Sequence, residues 1–590
     1  MEFKIQSPIG SGTKFKIKGT KFITSDLIKV LLENRGVKTE KEIEEFLNPR
    51  LEKVTIKSVG IDKKQLNKAV SRIRKAIENE EQIVVFGDYD VDGICGTAIL
   101  WETLHGLGAD VMPYIPHRIE EGYGLSLKGI SNVKCQMSNV KLIITVDNGI
   151  VANKAVKFAN KEGIDVIISD HHVPSKKLPD AYAVVHTTKL CGAGVAWMLA
   201  QSILHVIPNL FRDLGSTGTK ILKQVQNDIK RDTHIELVAL ATIADLVPLI
   251  GANRTFVKFG LEALRRTRRI GLLELFKEAG LSQSTIGVYE VGHMIAPRLN
   301  AMGRLEYAMD SLRLLCTKNQ ARAKSLAEIL GNTNRERQEL TLATFENSKL
   351  KTQNSKLQLK TQKLLFIADA SYQQGVIGLV AGKLVEEFYR PSIVVSVGEK
   401  YSKASARSVA GFNIIEFIRT ASEFLVDAGG HPMAAGFTVE TSKLSILKKV
   451  LEEKAEAILD KEKLTRTLRI DCELELSAID EGLYKEVQKL APFGMGNPEP
   501  TFISKNVVIE DIRVVGAERK HIKLRFKIYD LRFMIDGIAF GMGERANEFH
   551  VGDTVDIAYT IDLNVWNGNS SLQIKIKDIK QNKLPSLNAF

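Results

Sequence analysis

The stretch Gln82–Gly93, QIVVFGDYDVDG, decides the fold of this chain, because a short apolar run is followed directly by three alternating aspartates. Two later apolar runs, Leu142–Val146 and Val166–Ser169, also end in polar clusters, which begin at Asp147 and Asp170. Helical patterns separate the runs, so the sequence predicts a parallel sheet with helices on its faces. Ligands of such sheets bind at the carboxyl ends of the strands, and we therefore expect the polar clusters to share one edge.

Length and composition describe a folded protein of several domains. At 590 residues the chain is too long for one hydrophobic core, and its 44% apolar and 26% charged residues exclude wholesale disorder. No apolar run reaches the roughly 18 residues of a membrane helix, and the start lacks the apolar core of a signal peptide, so we expect a cytoplasmic protein with no membrane partner. The net charge of +12 suits a polyanionic partner. Five scattered cysteines without a CxxC pair argue against a zinc ribbon or a disulfide framework.

Changes of pattern along the chain predict five segments. They are a helical preface (1–77), the parallel-sheet domain (78–250), a helical connector (251–363), a second α/β domain (364–465) and a strand-rich barrel (466–590). A long helix over Leu326–Glu346 joins the two α/β domains, and an OB-fold is the best candidate for the barrel. Two polar tracts interrupt this pattern, and we interpret 213–232 as a surface excursion and 347–362 as a low-complexity spacer.

The acidic clusters have the composition of a divalent-metal site. Asp88, Asp90 and Asp92 alternate at a strand end, and hard carboxylate oxygens suit Mg²⁺ or Mn²⁺. Alone, this pattern is equally typical of a solvated acidic turn. Convergence on one edge favours the metal site, and the residues that we expect to converge there are Asp147, Asp170, His171, His172 and Asp245. Two ions held there would clamp a phosphodiester, one activating water and the other stabilising the leaving oxygen.

A series of motifs runs over nearly the whole chain. They are GDYDVDGICGTA, PHRIEEGYGL, TVDNGI, SDHH, LCGAGVAW, ATIADLVPL, IAPRLNAMGR, NRERQ, ASARS, GGHPMAAG and PFGMGNPEP. In content and order this series resembles the RecJ-type exonucleases of the DHH phosphoesterase family. The resemblance implies a DHH domain, a DHH-associated domain and an OB-fold around a groove. It also implies metal-dependent 5′-to-3′ hydrolysis of single-stranded DNA to mononucleotides, in DNA repair and recombination.

The resemblance also implies roles for the acidic and histidine residues. The positions that match the metal site of the family are Asp88, Asp90, Asp92, Asp147, His171, His172 and Asp245. Asp147 is the expected bridge between two Mn²⁺ or Mg²⁺ ions. Asp170 is expected to orient the imidazoles from behind rather than to bind metal itself.

Further positions match phosphate and DNA contacts of the family. Arg298, Asn300 and Arg304 would neutralise the scissile phosphate, or else cap helices. His431 would face the metals and donate to a phosphate oxygen, or else have no role. The remaining contacts fall into two expected sites: a terminal 5′-phosphate pocket of Arg118, Ser405 and Arg407, and a barrel surface for stacking bases and following phosphates, of Trp566, Phe502, Lys523 and Lys575. Solvation of Arg118 and core packing of the aromatics are the alternatives.

The chain departs from the family pattern in two places. Ser371-Tyr372-Gln373-Gln374 stands where the family has a Trp-His pair, and the segment His186–Leu190 is shorter than expected. Two other functions stay open: a DHH phosphoesterase for short oligonucleotides, and a catalytically silent scaffold that binds single strands during replication. The expected partners are single-stranded DNA and a single-strand-binding protein or helicase, with the chain acting as a monomer.

Overall fold

The structure is a computed structural model, and it describes residues 2–5, 24–118, 120–137, 139–206, 233–353, 362–527, 534–566 and 569–582. The chain divides into two compact units. The first comprises residues 51–247 and 255–465, and the second comprises residues 1–50, 248–254 and 466–590. In the described ranges, no helix has both the length and the apolar character needed to cross a membrane. The tract predicted at 213–232 lies outside the described residues.

The strands follow the short β-branched runs of the sequence. They are β1 (Glu2–Ile5), β2 (Gln82–Phe86), β3 (Val111–Tyr114), β4 (Val140–Val146), β5 (Asp165–Asp170), β6 (Ala183–His186), β7 (Leu365–Asp369), β8 (Ser392–Ser396), β9 (Tyr401–Arg407), β10 (Leu425–His431), β11 (Ala434–Glu440), β12 (Thr467–Ile470), β13 (Cys472–Glu473), β14 (Phe502–Val515), β15 (His521–Lys527), β16 (Met534–Ala539), β17 (Thr554–Trp566) and β18 (Asn569–Gln581).

The helices occupy the segments with helical apolar spacing. They are α1 (Thr24–Glu33), α2 (Glu40–Leu47), α3 (Ile56–Val59), α4 (Lys63–Glu78), α5 (Val91–Gly106), α6 (Leu127–Gln136), α7 (Asn153–Lys161), α8 (Gly192–Val206), α9 (Ile235–Ala244), α10 (Gly251–Leu264), α11 (Ile270–Glu278), α12 (Val288–Glu290), α13 (Ala296–Leu305), α14 (Met309–Cys316), α15 (Gln320–Gln353), α16 (Ile377–Phe388), α17 (Ile414–Arg419), α18 (Leu444–Ile458) and α19 (Glu481–Gln488).

The first sheet of the larger unit is fully parallel, with the strand order β3-β2-β4-β5-β6. Helices α6 and α7 cover one face, where Val133 and Val156 pack against Ile143. Helices α5, α8 and α9 also pack against one another in this unit. Strands β2, β4 and β5 are buried along almost their whole length, which explains why their sequences are continuously apolar. The predicted parallel-sheet domain is confirmed.

The second sheet of the larger unit is mixed, with the order β10-β11-β9-β8-β7. Only β7 and β8 pair in parallel, and the other neighbours are antiparallel. The core on one side contains Phe366, Ile393 and side chains of α17 and α18. The core on the other side contains Ile367 and side chains of α16. This sheet is the second α/β domain that the sequence predicts.

Helix α15 is longer than the sequence predicts, and it includes the first half of the expected low-complexity spacer. Residues through Gln353 are helical, whereas 354–361 lie outside the described residues. Ser348 is fully buried and donates to the Tyr372 hydroxyl (3.0 Å), which in turn donates to Asn347 (2.9 Å). The departure at Tyr372 therefore puts a phenol into the core, where it fixes the end of α15, while Gln373 is exposed.

The smaller unit contains a closed five-stranded barrel. Strands β14, β15, β16, β18 and β17 pair in sequence, and β17 closes back onto β14. Its core includes Leu27 and Leu31 of α1, so the predicted 1–77 preface spans both units. Phe502 is fully buried in this core, which excludes base stacking and resolves that alternative in favour of packing. Trp566 ends β17, and its side chain lies outside the described part of the structure.

Candidate metal centre

The parallel sheet brings three acidic positions to one edge. The register pairs Phe86 of β2 with Thr145 of β4, and Val146 of β4 with Ser169 of β5. The chain therefore leaves β2, β4 and β5 side by side. The residues that follow or end these strands are Asp88, Asp147 and Asp170, all nearly fully buried.

The acidic loop after β2 is shaped by the start of helix α5. Asp90 is the N-cap residue, and its Oδ1 accepts from the backbone N–H groups of Asp92 (2.9 Å) and Gly93 (3.1 Å). A Cβ on Gly93 would lie 2.6 Å from the backbone of Asp88, so only glycine fits there. Asn300 accepts from the Val91 N–H (3.0 Å) and so holds the loop from α13. Asn300 thus contacts the acidic loop itself.

Asp92 receives the N-terminus of helix α8. Its two oxygens accept from the backbone N–H groups of Gly192 (2.6 Å) and Ala193 (2.7 Å). The partial positive charge of a helix N-terminus stabilises the carboxylate at this position. A Cβ on Gly192 would lie 2.5 Å from Cβ of Asp147, so this glycine is what lets α8 approach the site.

His171 faces three carboxylates. Its Nε2 lies 3.1 Å from Oδ1 of Asp147 and 3.7 Å from an oxygen of both Asp92 and Asp245. Burial lowers the pKa of His171, which favours the neutral imidazole that binds metals. Asp245, at the C-terminal end of α9, therefore belongs to the cluster as the sequence predicts.

His172 is held from behind by Asp170. Its Nδ1 lies 2.8 Å from Oδ1 of Asp170, which also accepts from the N–H groups of His171 (2.7 Å) and His172 (3.1 Å). The other oxygen accepts from the Ile150 N–H (2.9 Å). Burial alone would raise the pKa of Asp170, but these bonds outweigh it and lower the pKa. Asp170 thus has no free oxygen for a metal and orients the imidazole instead.

The clustered donors could hold metal ions in three overlapping groups. Within each group the donor atoms lie within 4.8 Å of one another. The groups are Asp88, Asp90 and Asp147; Asp147, His171 and His172; and Asp92, His171 and Asp245. Buried Oδ1 atoms of Asp88 and Asp147 accept no hydrogen bond, which leaves two negative oxygens that a cation would satisfy. The donor set therefore fits Mn²⁺ or Mg²⁺.

Electrostatics also favour a cation at this edge. Burial, together with neighbouring carboxylates, raises the pKa of Asp88 and of Asp147 well above the ordinary carboxyl range. Burial and the charges of Asp92 and Asp90 raise the pKa of Asp245 to about 9. A divalent cation would relieve this repulsion and allow the carboxylates to ionise at neutral pH.

A second cluster of the larger unit is strongly basic. Burial and the charges of Arg118, Arg337 and Arg407 lower the pKa of Arg304 to about 10. Arg304 donates to the Gly375 carbonyl (3.3 Å), and Arg407 donates to the Ser405 hydroxyl (3.2 Å). Guanidinium groups so close together favour an anion between them.

Sequence reasoning missed two residues of these clusters. Arg337 belongs to NRERQ, a motif that we quote for the resemblance without assigning a role. Tyr123 follows Arg118 by five residues, and its hydroxyl lies 3.2 Å from Nε2 of His172. The only signal for either residue was its place inside a quoted motif.

Two predicted phosphate ligands are not brought to the metal cluster by any described contact. Nε of Arg298 lies 2.5 Å from Glu278, and its Nη1 donates to the Met294 carbonyl (2.7 Å). A carboxylate thus already neutralises Arg298, which argues for a structural role. His431 ends β10 in the register His431↔Ala434 and is exposed, so its predicted phosphate contact stays a prediction.

Family models and relatives agree with this architecture. The DHH family N-terminal domain matches residues 82–242, the DHHA1 domain matches 358–459, and the RecJ OB domain matches 470–578. The single-stranded-DNA-specific exonuclease RecJ of Bacillus subtilis is 35% identical over 98% of this chain and 70% of the relative. The chain belongs to the RecJ family. The RecJ of Thermus thermophilus is 32% identical over 88% of this chain and 71% of the relative.

Solved RecJ structures share the fold. The crystal structure of RecJ from Thermus thermophilus in complex with Mn²⁺ has a TM-score of 0.76 at 29% identity and covers 95% of this chain and 76% of that chain. The complex of the same RecJ with Mg²⁺ has a TM-score of 0.70 at 27% identity, over 95% of this chain and 75% of that chain. The predicted fold class, with DHH, DHH-associated and OB domains, is confirmed.

Proposed function

We propose that this chain is a metal-dependent exonuclease that degrades single-stranded DNA in the 5′-to-3′ direction to mononucleotides, in DNA repair and recombination. The observation that carries the proposal is the convergence of Asp88, Asp147 and His171 with their acidic neighbours on one sheet edge, with two buried oxygens left unsatisfied. Membership of the RecJ family, whose curated relatives are named for single-stranded DNA, supports the substrate class.

Two Mn²⁺ or Mg²⁺ ions would be held by the seven predicted ligands, and they would supply an activated water and charge stabilisation at the leaving oxygen. Asp147 belongs to two of the three donor groups, which supports its role as the bridge. Asp170 keeps His172 in one orientation through the bond at Nδ1. Asp90 and Asn300 hold the acidic loop in shape. The chain therefore presents its donors preorganised, which reduces the cost of organising the site during catalysis.

The basic cluster supports the direction of digestion. Arg118, Ser405 and Arg407 are proposed to bind a terminal 5′-phosphate, with Arg304 and Arg337 adding positive charge. A phosphate fixed there would bring the first phosphodiester to the metals and block further passage of the strand. Barrel residues Lys523 and Lys575, both solvent-exposed, are proposed to follow phosphates further along the strand.

The proposal extends to the setting of the enzyme. It acts in the cytoplasm as a monomer, on single strands presented by a helicase or a single-strand-binding protein. All donors of the metal groups come from one chain, so the proposed site needs no second subunit. The barrel speaks against an enzyme limited to short oligonucleotides, and the full donor set speaks against a silent scaffold.

End-labelled single-stranded DNA with Mn²⁺ tests the function. We expect the wild type to release mononucleotides and Asp147→Asn to release none, while Asp180→Asn, at an exposed aspartate, behaves as the wild type. Blocking the 5′ end should stop digestion, and blocking the 3′ end should not. Digestion by Asp147→Asn at the wild-type rate, or none by the wild type, would sink the proposal.

A further inference from the structure

The loop between β3 and α6 connects the basic cluster with the metal centre. It carries Arg118 at one end and Tyr123 five residues later. Glu121, between them, accepts from the His117 N–H (3.0 Å) and from the Tyr114 hydroxyl (2.7 Å). These two bonds fix the middle of the loop to the end of β3.

The far end of the same loop is fixed to the metal edge. The Leu125 N–H donates to Oδ1 of Asn148 (3.1 Å), the neighbour of Asp147. A Cβ on Gly124, whose φ is +65°, would lie 3.1 Å from Cβ of Asn148, so the backbone itself packs on this residue. Movement at Arg118 is therefore transmitted to a segment that is held against the metal site.

The Tyr123 hydroxyl touches the metal centre directly. It donates to the Asp147 carbonyl (3.2 Å) and lies 3.2 Å from Nε2 of His172. The two rings meet edge to face, with centroids 6.0 Å apart and an interplanar angle of 78°. His172 is thus gripped by Asp170 at one nitrogen and by Tyr123 at the other.

Tyr89 completes the connection. Its ring meets that of Tyr123 edge to face, with centroids 6.1 Å apart at 83°. The guanidinium carbon of Arg118 lies 5.1 Å from the centroid of the Tyr89 ring, within the range of a cation–π interaction. Backbone packing holds Tyr89 in place, because a Cβ on Gly303 of α13 would lie 2.4 Å from its carbonyl oxygen.

We propose that Tyr89 and Tyr123 are positioning residues that align His172 when a terminal phosphate engages Arg118, so that a 5′-phosphate raises the rate of hydrolysis as well as the affinity for the strand. The inference rests on the proposed function and deepens it. Binding energy from a remote group of the substrate is then used at the reacting phosphodiester. The substrate class that profits is a 5′-phosphorylated single strand, as opposed to one ending in a hydroxyl.

Single-turnover hydrolysis with Mn²⁺ separates rate from affinity, using two strands of one sequence that end in a 5′-phosphate or a 5′-hydroxyl. We expect the wild type to cleave the phosphorylated strand faster at saturation. Tyr123→Phe should shrink that advantage by about two- to tenfold, the scale of one net hydrogen bond, while the strand concentration for half-saturation stays unchanged. Tyr401→Phe, which removes an exposed hydroxyl, should match the wild type.

Variants of Tyr89 test the ring separately from the hydroxyl. Tyr89→Phe retains the ring and should keep the advantage, whereas Tyr89→Leu should lose it as Tyr123→Phe does. Equal melting temperatures among the variants show that each is folded. An unchanged advantage in Tyr123→Phe, or an equal slowing on both strands, would overturn this inference alone. A wild type that digests neither strand would overturn the proposed function with it.

Discussion

Asp147 combines three unusual properties in one residue. Its backbone is in the left-handed region, with φ of 62°, its carboxylate is buried, and its Oδ1 accepts no hydrogen bond. Each of these properties costs free energy in a folded protein. They are compatible with a stable fold if a cation binds the carboxylate and offsets the cost, and this explains why Asp147 is shared by two of the donor groups.

Stability should therefore depend on pH when metal is removed. Asp245, with a pKa of about 9 in the folded protein against about 4 in an unfolded chain, holds a proton only in the folded state between these values. Because the folded state binds more protons there, its stability falls as the pH rises from about 4 to about 9. Melting temperatures in EDTA should decline from pH 5 to pH 9, and Mn²⁺ should reduce the decline. A metal-free protein whose melting temperature rises over this range would contradict the account.

Asp170 offers a test of support without direct binding. Asp170→Asn keeps the shape but removes the charge that holds His172, so we expect Mn²⁺ affinity to fall by about 10- to 100-fold, as for other residues that orient metal ligands. Titration calorimetry measures the affinity, and Asp180→Asn is the matched control. Unchanged affinity in Asp170→Asn would show that the aspartate does not act through His172.

Among the elements, helix α8 is the one whose position the metal centre requires. Its first N–H groups bind Asp92, and Gly192 lets it approach Asp147. Gly192→Ala would place a methyl group 2.5 Å from Cβ of Asp147, so we expect loss of Mn²⁺ binding and a destabilisation of about 1–3 kcal/mol. Calorimetry and thermal melting check both. Gly382→Ala, in the open interior of α16, should bind Mn²⁺ normally, and normal binding by Gly192→Ala would refute the role of α8.

Local pattern predicted these elements, but not their long-range partners. Apolar runs followed by aspartates sufficed to predict the sheet edge, because parallel strands end together. The bond from Val91 to Asn300 joins residues 209 positions apart, and no periodicity encodes it. Arg298 resembled a phosphate ligand by motif, yet Glu278 on another helix neutralises it. Side-chain partners between elements therefore required the structure.

For the whole molecule, the smaller unit shows how distant segments form one body. Arg254 is fully buried and donates to the carbonyl oxygens of Phe46 (2.8 Å), Leu490 (2.8 Å) and Ala491 (2.7 Å). One guanidinium thus joins three separate stretches of sequence. Burial lowers the pKa of Arg254 to about 10, so the group stays charged at neutral pH.

Replacing this arginine should weaken the unit. Arg254→Leu leaves several buried carbonyl groups without donors, and at about 1–3 kcal/mol for each unsatisfied group we expect a loss of about 3 kcal/mol or more in the free energy of unfolding. Urea denaturation measures it. Arg266→Leu, at an exposed arginine, should change little. A loss below about 1 kcal/mol in Arg254→Leu would contradict the role assigned to these bonds.

The central claim, that the acidic edge binds two catalytic metal ions, is tested most directly by counting Mn²⁺ per chain. Electron paramagnetic resonance of free Mn²⁺ during titration gives this number for the wild type and for Asp147→Asn. The account predicts two ions per wild-type chain and at most one in Asp147→Asn, because the shared carboxylate is lost. Two ions retained by Asp147→Asn, or none bound by the wild type, would contradict it.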